Sequence, residues 1–228
     1  MKLCFASYLY NDKLLFGGYP NEEWFRRLFI EERVLLFVNL TEHSEMQSKQ
    51  LCPYFTNMIP SSQYIHYPIS DNNIPHHIES FQQLLYRVLH VIRTSRKEEK
   101  VYIHCKGGHG RSGMVAACLV SYLMNIIPEY AISLTTKAHQ CRENLKPKYK
   151  TMKCPQIFIQ RKFVIDFCRP IIISDYFFTV SSNLISFLEK SCAKPLLICH
   201  YHKKDDDISL QSVLLYIREY IISHLLVR

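Results

Sequence analysis

The chain is poor in glycine: six in 228 residues, three of them in one loop. A backbone that avoids glycine elsewhere and gathers it in one place marks that place for tight turning or close approach. It has no apolar run near the ~20 residues needed to span a bilayer. It has no internal repeat and no low-complexity tract. Its nine cysteines are odd in number and follow no framework spacing, which argues against a disulfide scaffold. Met1 to Ser7 shows no signal-peptide pattern. A reduced, intracellular setting, cytoplasmic or nuclear, is therefore the expectation. Hydrophobic residues make up 48% of the chain, enough for one packed core with or without an appendage.

What is present is concentrated at Val101-Tyr102-Ile103-His104-Cys105-Lys106-Gly107-Gly108-His109-Gly110-Arg111-Ser112-Gly113. An apolar strand runs into His-Cys, a glycine-rich loop follows, and an apolar helix begins at Arg-Ser. Gly107, Gly108 and Gly110 let successive N–H groups point into one concavity, and the helix start adds its positive end. Arg111 offers a planar fork that matches two phosphate oxygens. Lys106 and His109 complete the loop. This positive potential falls on Cys105 and favours the thiolate, the form that attacks phosphorus. Ser112 can hydrogen-bond the sulfur and help it leave. His104 orients the loop from behind, since a thiolate needs no base.

A phosphate ester also needs an acid for its leaving oxygen, and the loop holds none. Tyr64 to Ser70 reads as a strand ending at Asp71, with Asn72, Asn73 and Pro75 making a turn. Asp71 stands thirty-four residues before Cys105. An aspartate that simply caps the turn is the competing reading.

His104 to Ser112 matches His-Cys-x5-Arg-Ser/Thr, and Leu14 to Cys168 resembles the small dual-specificity protein phosphatases. The resemblance implies an α/β fold of the protein tyrosine phosphatase kind, with a largely parallel central sheet flanked by helices. It implies Cys105 as nucleophile, Arg111 as phosphate clamp and Asp71 as general acid and then base. It implies a cysteinyl-phosphate intermediate and no metal or cofactor. Residues 154–164 resemble the family's glutamine segment, with Gln160 the better match for placing the hydrolytic water and Gln156 the second. Two surface glutamines opening a helix are an equal alternative. The resemblance also implies Arg142, as a helix arginine, in a supporting role. The implied substrate is a phosphorylated protein, carrying phosphotyrosine and also phosphoserine or phosphothreonine.

Rival readings stay open. Lys106 and His109 occupy loop positions that are basic in tensin-homologue phosphoinositide phosphatases, so a lipid or anionic membrane surface is an alternative partner. RNA 5′-triphosphate hydrolysis ranks low, because Gly110 stands where an asparagine is characteristic, and nucleic acid is not expected as a partner. A non-catalytic phosphoprotein-binding module requires Asp71 to lie away from the loop. Lys146, Lys148, Lys150 and Lys153 form a basic run that the family resemblance implies lies near the catalytic mouth, with a plain solvated loop as the commoner reading, in a chain of net charge +8.

Along the chain, strands are expected at Leu14–Gly18, 34–40, 64–69 and 101–104. Helices are expected after Asn21, after Pro75 with Ile78, Phe81, Leu85, Val88 and Ile92 on one face, from Met114 to Met124, from Pro128 to about Asn144, and from Pro155 to Cys168. Residues 41–63 read as an irregular loop. The domain reading is 1–168 for catalysis and 169–228 for a small αβ extension whose role is not legible, nor is the oligomeric state. Cys192, Cys199, His200 and His202 match no common zinc spacing.

Overall fold

A computed structural model describes residues 3–51 and 60–168. The expected C-terminal extension and the Cys192–His202 group lie outside the described residues.

The chain opens with an antiparallel pair, β1 (Ala6–Leu9) and β2 (Leu14–Gly17). Helix α1 (Glu22–Arg26) follows, capped by Asn21, whose Oδ1 accepts from Trp24 N at 2.7 Å. It widens into a π turn over Arg27–Glu31. Then come β3 (Val34–Asn39), α2 (His43–Ser48), a 3-10 turn at Ser61–Gln63, β4 (Tyr64–His66) and α3 (Ile78–Thr94). The second half holds β5 (Lys100–His104), α4 (Arg111–Met124), α5 (Pro128–Gln140), α6 (Pro147–Lys150) and α7 (Phe158–Cys168).

The sheet order is β1-β2-β5-β3-β4, parallel except at the β1–β2 edge. The central strand β5 carries the loop at its carboxyl end, between β2 and β3, where such sheets bind ligands. Register brings Gly17 and Asn39 level with His104 from either side.

Both faces of the sheet are covered, which is why its strands read as continuous apolar runs. Leu14, Phe16, Leu36, Val38, Val101 and Ile103 point to one side, against α3, α4, α5 and α7. Leu15, Val34, Phe37 and Tyr102 point to the other, against the N-terminal segment, α1 and Met46 of α2. On α3, Phe81 is fully buried and meets Phe163 and Phe167 of α7 edge-on, with centroids at 5.4 and 5.1 Å. Burying such a ring stabilises by about 1.5–3 kcal/mol, and it fixes α7 behind the site.

Several expected boundaries shift for identifiable reasons. β1 adds an antiparallel edge that the sequence pattern did not suggest. β4 ends at His66 instead of Ile69, because Pro68 has no N–H for a ladder, although Ile69 N still donates to Leu40 O at 3.1 Å. α5 stops at Gln140, and Asn144 turns away to the N-terminal segment, donating from its backbone N to Cys4 O at 3.2 Å. α7 starts at Phe158, not Pro155. Gln156 N is engaged by His109 O, and the carbonyls of Pro155 and Gln156 both accept from Arg161 Nη1. Ile78, expected on the buried stripe of α3, is exposed. The stretch 41–63, expected to be irregular, contains α2.

Candidate active site

All six glycines of the chain gather at one place. Gly107, Gly108 and Gly110 form the loop after β5, Gly113 lies just inside α4, and Gly17 and Gly18 end β2 beside it. Gly108 has φ +75°, and a methyl group there would stand 2.4 Å from Gly17 C and Gly18 N. The loop therefore rests backbone against backbone on the end of β2, a packing only glycine allows. Tyr19 N donates to Lys106 O at 3.0 Å and secures the same contact.

Cys105 is buried at the base of the loop. Its Sγ accepts from Gly108 N at 3.3 Å and lies 3.5 Å from Ser112 Oγ. His104 beneath it is fully buried, in a T-shaped contact with Tyr19 and stacked on Tyr102. Burial chiefly, with the charges of His66 and Arg111, pushes its imidazole down to about 3, so it is neutral and supports the loop rather than exchanging protons.

Arg111 is 2% exposed and held by two carboxylates. Nη1 donates to Glu45 Oε2 at 2.7 Å and Nη2 to Glu45 Oε1 at 2.9 Å, a bidentate pair, and Nη1 also donates to Ile69 O at 2.9 Å. Nη2 makes a further ion pair with Asp71 Oδ1 at 2.9 Å. Nε, which shares an edge of the guanidinium with Nη2, has no partner among the described residues. Burial works against the charge, but hydrogen bonding to Glu45 and the charges of Cys105, Glu45 and Asp71 overcome it, and the guanidinium pKa is raised. One edge of the fork is thus fixed by Glu45, while the edge formed by Nε and Nη2 is open to a ligand except for Asp71.

Asp71 sits at the tip of a turn closed by Asn73 N donating to Ser70 O at 3.0 Å, with Asn72 at φ 58°. Its side chain is 61% exposed. The turn is tied on both sides: Ser70 Oγ donates to Glu42 Oε1 at 2.9 Å, and Gln160 Nε2 donates to Asn73 O at 3.0 Å. Gln160 is buried on α7, and its Oε1 has no partner among the described residues. A methyl group on Gly110 would stand 2.8 Å from that oxygen. Gln160 therefore touches both the loop and the aspartate turn. Gln156, the second candidate, meets the loop through its backbone.

His109, the fifth residue of the loop, is clamped from outside. Its Nδ1 lies 2.7 Å from His139 Nε2 of α5, and its ring stacks on Tyr149 of α6 at 4.0 Å. Burial, then the charges of Arg142 and Lys148, push His109 down to about 4. Burial, then Arg142 and His109, push His139 to about 3. Lys106 is exposed. Arg142 is buried behind β2, donating to Ser7 Oγ at 2.6 Å and Phe16 O at 3.0 Å, so it braces the sheet end rather than reaching the loop cavity.

The family model described as Swiss Army Knife protein, DSP-PTPase phosphatase domain (PTP-SAK), matches residues 5–153, well over half of the chain. The chain belongs to the DSP-PTPase phosphatases. The chain is similar to two viral proteins, both named as tyrosine phosphatases. Protein 067L of Invertebrate iridescent virus 3 is 36% identical over 162 residues, 71% of this chain and 65% of the relative. Protein 197R of Invertebrate iridescent virus 6 is 39% identical over 133 residues, 58% of this chain and 47% of the relative. The chain thus spans less than two thirds of the length of either. Among solved structures, kinase associated phosphatase, in a form with its catalytic cysteine replaced by serine, superposes with a TM-score of 0.56 at 21% identity. The match covers 73% of this chain and 95% of that one, which establishes the shared fold.

Within this DSP-PTPase frame, Cys105, Arg111, Ser112, Asp71 and Gln160 come together around one loop. Glu45 was missed by sequence reasoning, because 41–63 reads as an irregular polar stretch. One signal could have found it: β3 neighbours β5, so a carboxylate shortly after β3 falls beside the loop that follows β5.

Proposed function

We propose that the protein hydrolyses phosphate monoesters on proteins, taking phosphotyrosine and also phosphoserine or phosphothreonine. The observation that carries this reading is the pairing of a thiol that accepts from a loop N–H with a buried guanidinium whose Nε has no partner among the described residues. The substrate phosphate sits in the loop of residues 106–111, with two oxygens on Nε and Nη2 of Arg111. It takes the place of Asp71 on that edge, while Glu45 keeps the guanidinium in plane from the other.

Cys105 Sγ attacks phosphorus in line. The S–P bond forms, the bond to the leaving oxygen breaks, and Asp71, displaced from Arg111 and carrying a proton taken up from solvent, gives that oxygen the proton. Water then attacks the cysteinyl-phosphate. Asp71 takes a proton from that water, Gln160 Oε1 positions it, and the S–P bond breaks with Ser112 Oγ beside the departing sulfur. Each step is completed by protein groups, so the reaction calls for no metal or cofactor.

The phosphoinositide alternative relies on positive charge at both Lys106 and His109. Lys106 is available, but His109 is held neutral by burial and its neighbours, which favours protein substrates. The test is phosphate release in metal-free reducing buffer from phosphotyrosine and phosphothreonine peptides, phosphoinositide vesicles and triphosphorylated RNA, with Cys105→Ser as control. Release from peptides that disappears in the variant is the expected result. Release only from lipid or RNA moves the assignment there. Peptide binding without release makes the protein a binding module.

A further inference from the structure

The basic run at Lys146, Lys148, Lys150 and Lys153 is joined to the phosphate loop. Tyr149, between two of its lysines, stacks on His109 at 4.0 Å. Just beyond it, Cys154 Sγ donates to His109 O at 3.2 Å, and Gln156 N donates to the same oxygen at 3.2 Å. The run is also fixed to α5. Thr136 Oγ1 donates to Cys154 O and accepts from Cys154 N, both at 3.0 Å, and Gln140 Nε2 donates to Met152 O at 3.3 Å. This is a platform held at the rim of the loop by hydrogen bonds on two sides.

Among the described residues its charge has no ion-pair partner. All four lysines are exposed. The sequence from Asn144 to Ile165 contains no aspartate or glutamate at all. Lys148 is close enough to help depress His109.

We propose that this platform recognises acidic side chains flanking the phosphorylated residue of a peptide substrate, a refinement that rests on the protein phosphatase reading above. Two observations select a peptide over other polyanions. The lysines are exposed and lie outside the loop, whereas a lipid headgroup needs cations inside it, and His109 there is neutral. An RNA site needs an aromatic face for a base, but the Tyr149 ring is engaged by His109 and by Lys148 Nζ at 4.9 Å. A cluster of exposed ammonium groups on a segment held at the loop's rim suits a run of carboxylates. Each pair contributes modestly and is screened by salt.

The experiment uses the full chain and two phosphotyrosine peptides, identical except for glutamate or glutamine on both flanks, with a small aryl phosphate as reference. The comparison variant carries Lys146→Gln, Lys148→Gln, Lys150→Gln and Lys153→Gln together. The expected result is a kcat/KM about tenfold higher for the acidic peptide at low salt, lying in KM and fading as salt rises. In the variant the two peptides become equal, while aryl phosphate turnover holds. Equal handling by the unaltered protein, or a preference that survives in the variant, overturns the proposal. So does a lysine-dependent gain on phosphoinositide vesicles in place of the acidic peptide. Should the unaltered protein release no phosphate from any substrate, the catalytic reading has failed. Peptide binding to Cys105→Ser protein then decides the platform separately: a lysine-dependent preference for the acidic peptide upholds it, and its absence overturns it.

Discussion

Glu45 and Asp71 both reach Arg111, yet they stand in different parts of the fold. Glu45 lies on α2, 12% exposed, and grips both terminal nitrogens of the guanidinium. Asp71 lies on a turn after β4, 61% exposed, and makes one ion pair with Nη2. A buried bidentate pair is costly to break, because it strands a desolvated charge. An exposed single pair is worth little and is easily exchanged. In the proposed mechanism this difference separates a brace from a group free to leave when phosphate arrives. The same arginine can then be rigid toward one carboxylate and available through its other edge.

The sharpest way to break this contrast is Asp71→Asn. If Asp71 is the exchangeable acid, kcat on a phosphotyrosine peptide falls about 10²- to 10⁴-fold. The melting temperature stays nearly unchanged, and inorganic phosphate competes at least as well as before. A large stability loss with intact kcat would reverse the two roles. Glu45→Ala tests the other side. Leaving Arg111 buried without its partner should cost about 3–5 kcal/mol of stability, seen in urea unfolding, with a weaker grip on phosphate besides. Glu45→Gln, which keeps a hydrogen-bond acceptor, should recover part of that loss.

A third restraint lies on the far side of the loop, where no carboxylate takes part. His109 and His139 are displaced from 6.5 to about 4 and about 3, so the folded protein keeps them neutral where the unfolded chain protonates them. Between pH 6.5 and 4 the unfolded state binds more protons, and stability therefore falls as pH falls through that window. Unfolding followed across pH 4–7 checks this, and His109→Gln should flatten the slope. The smallest effect is expected from Gln160→Ala. Loss of its bond to Asn73 O should cost about 1 kcal/mol and slow the second chemical step more than the first. A larger initial burst of leaving group ahead of steady turnover is the kinetic signature.

The parts of this account that were legible in sequence share a physical property: they are contiguous. Strand, loop and helix from Val101 to Met124 announce themselves because strand pattern, glycine and the Cys–Arg spacing sit in one stretch. Asp71 was legible as a strand end before a turn, though not its contact with Arg111. Glu45 was not legible, since α2 has six residues, one of them buried, and no side-chain cap. Nor was the role of Gly17 and Gly18, which depends on β2 pairing beside β5 across more than eighty residues of chain. The clamp on His109 likewise needs α5 and α6 brought together by the fold. Local chemistry was readable; what the sheet order juxtaposes was not.

The measurement that bears most directly on the account is rapid acid quenching of the protein with a small aryl phosphate, followed by mass spectrometry of the peptide containing Cys105. The prediction is one phosphoryl group on Cys105, absent in Cys105→Ser and longer-lived in Asp71→Asn, where the base for its hydrolysis is missing. Phosphate release with no adduct on Cys105, and with activity retained in Cys105→Ser, would contradict it.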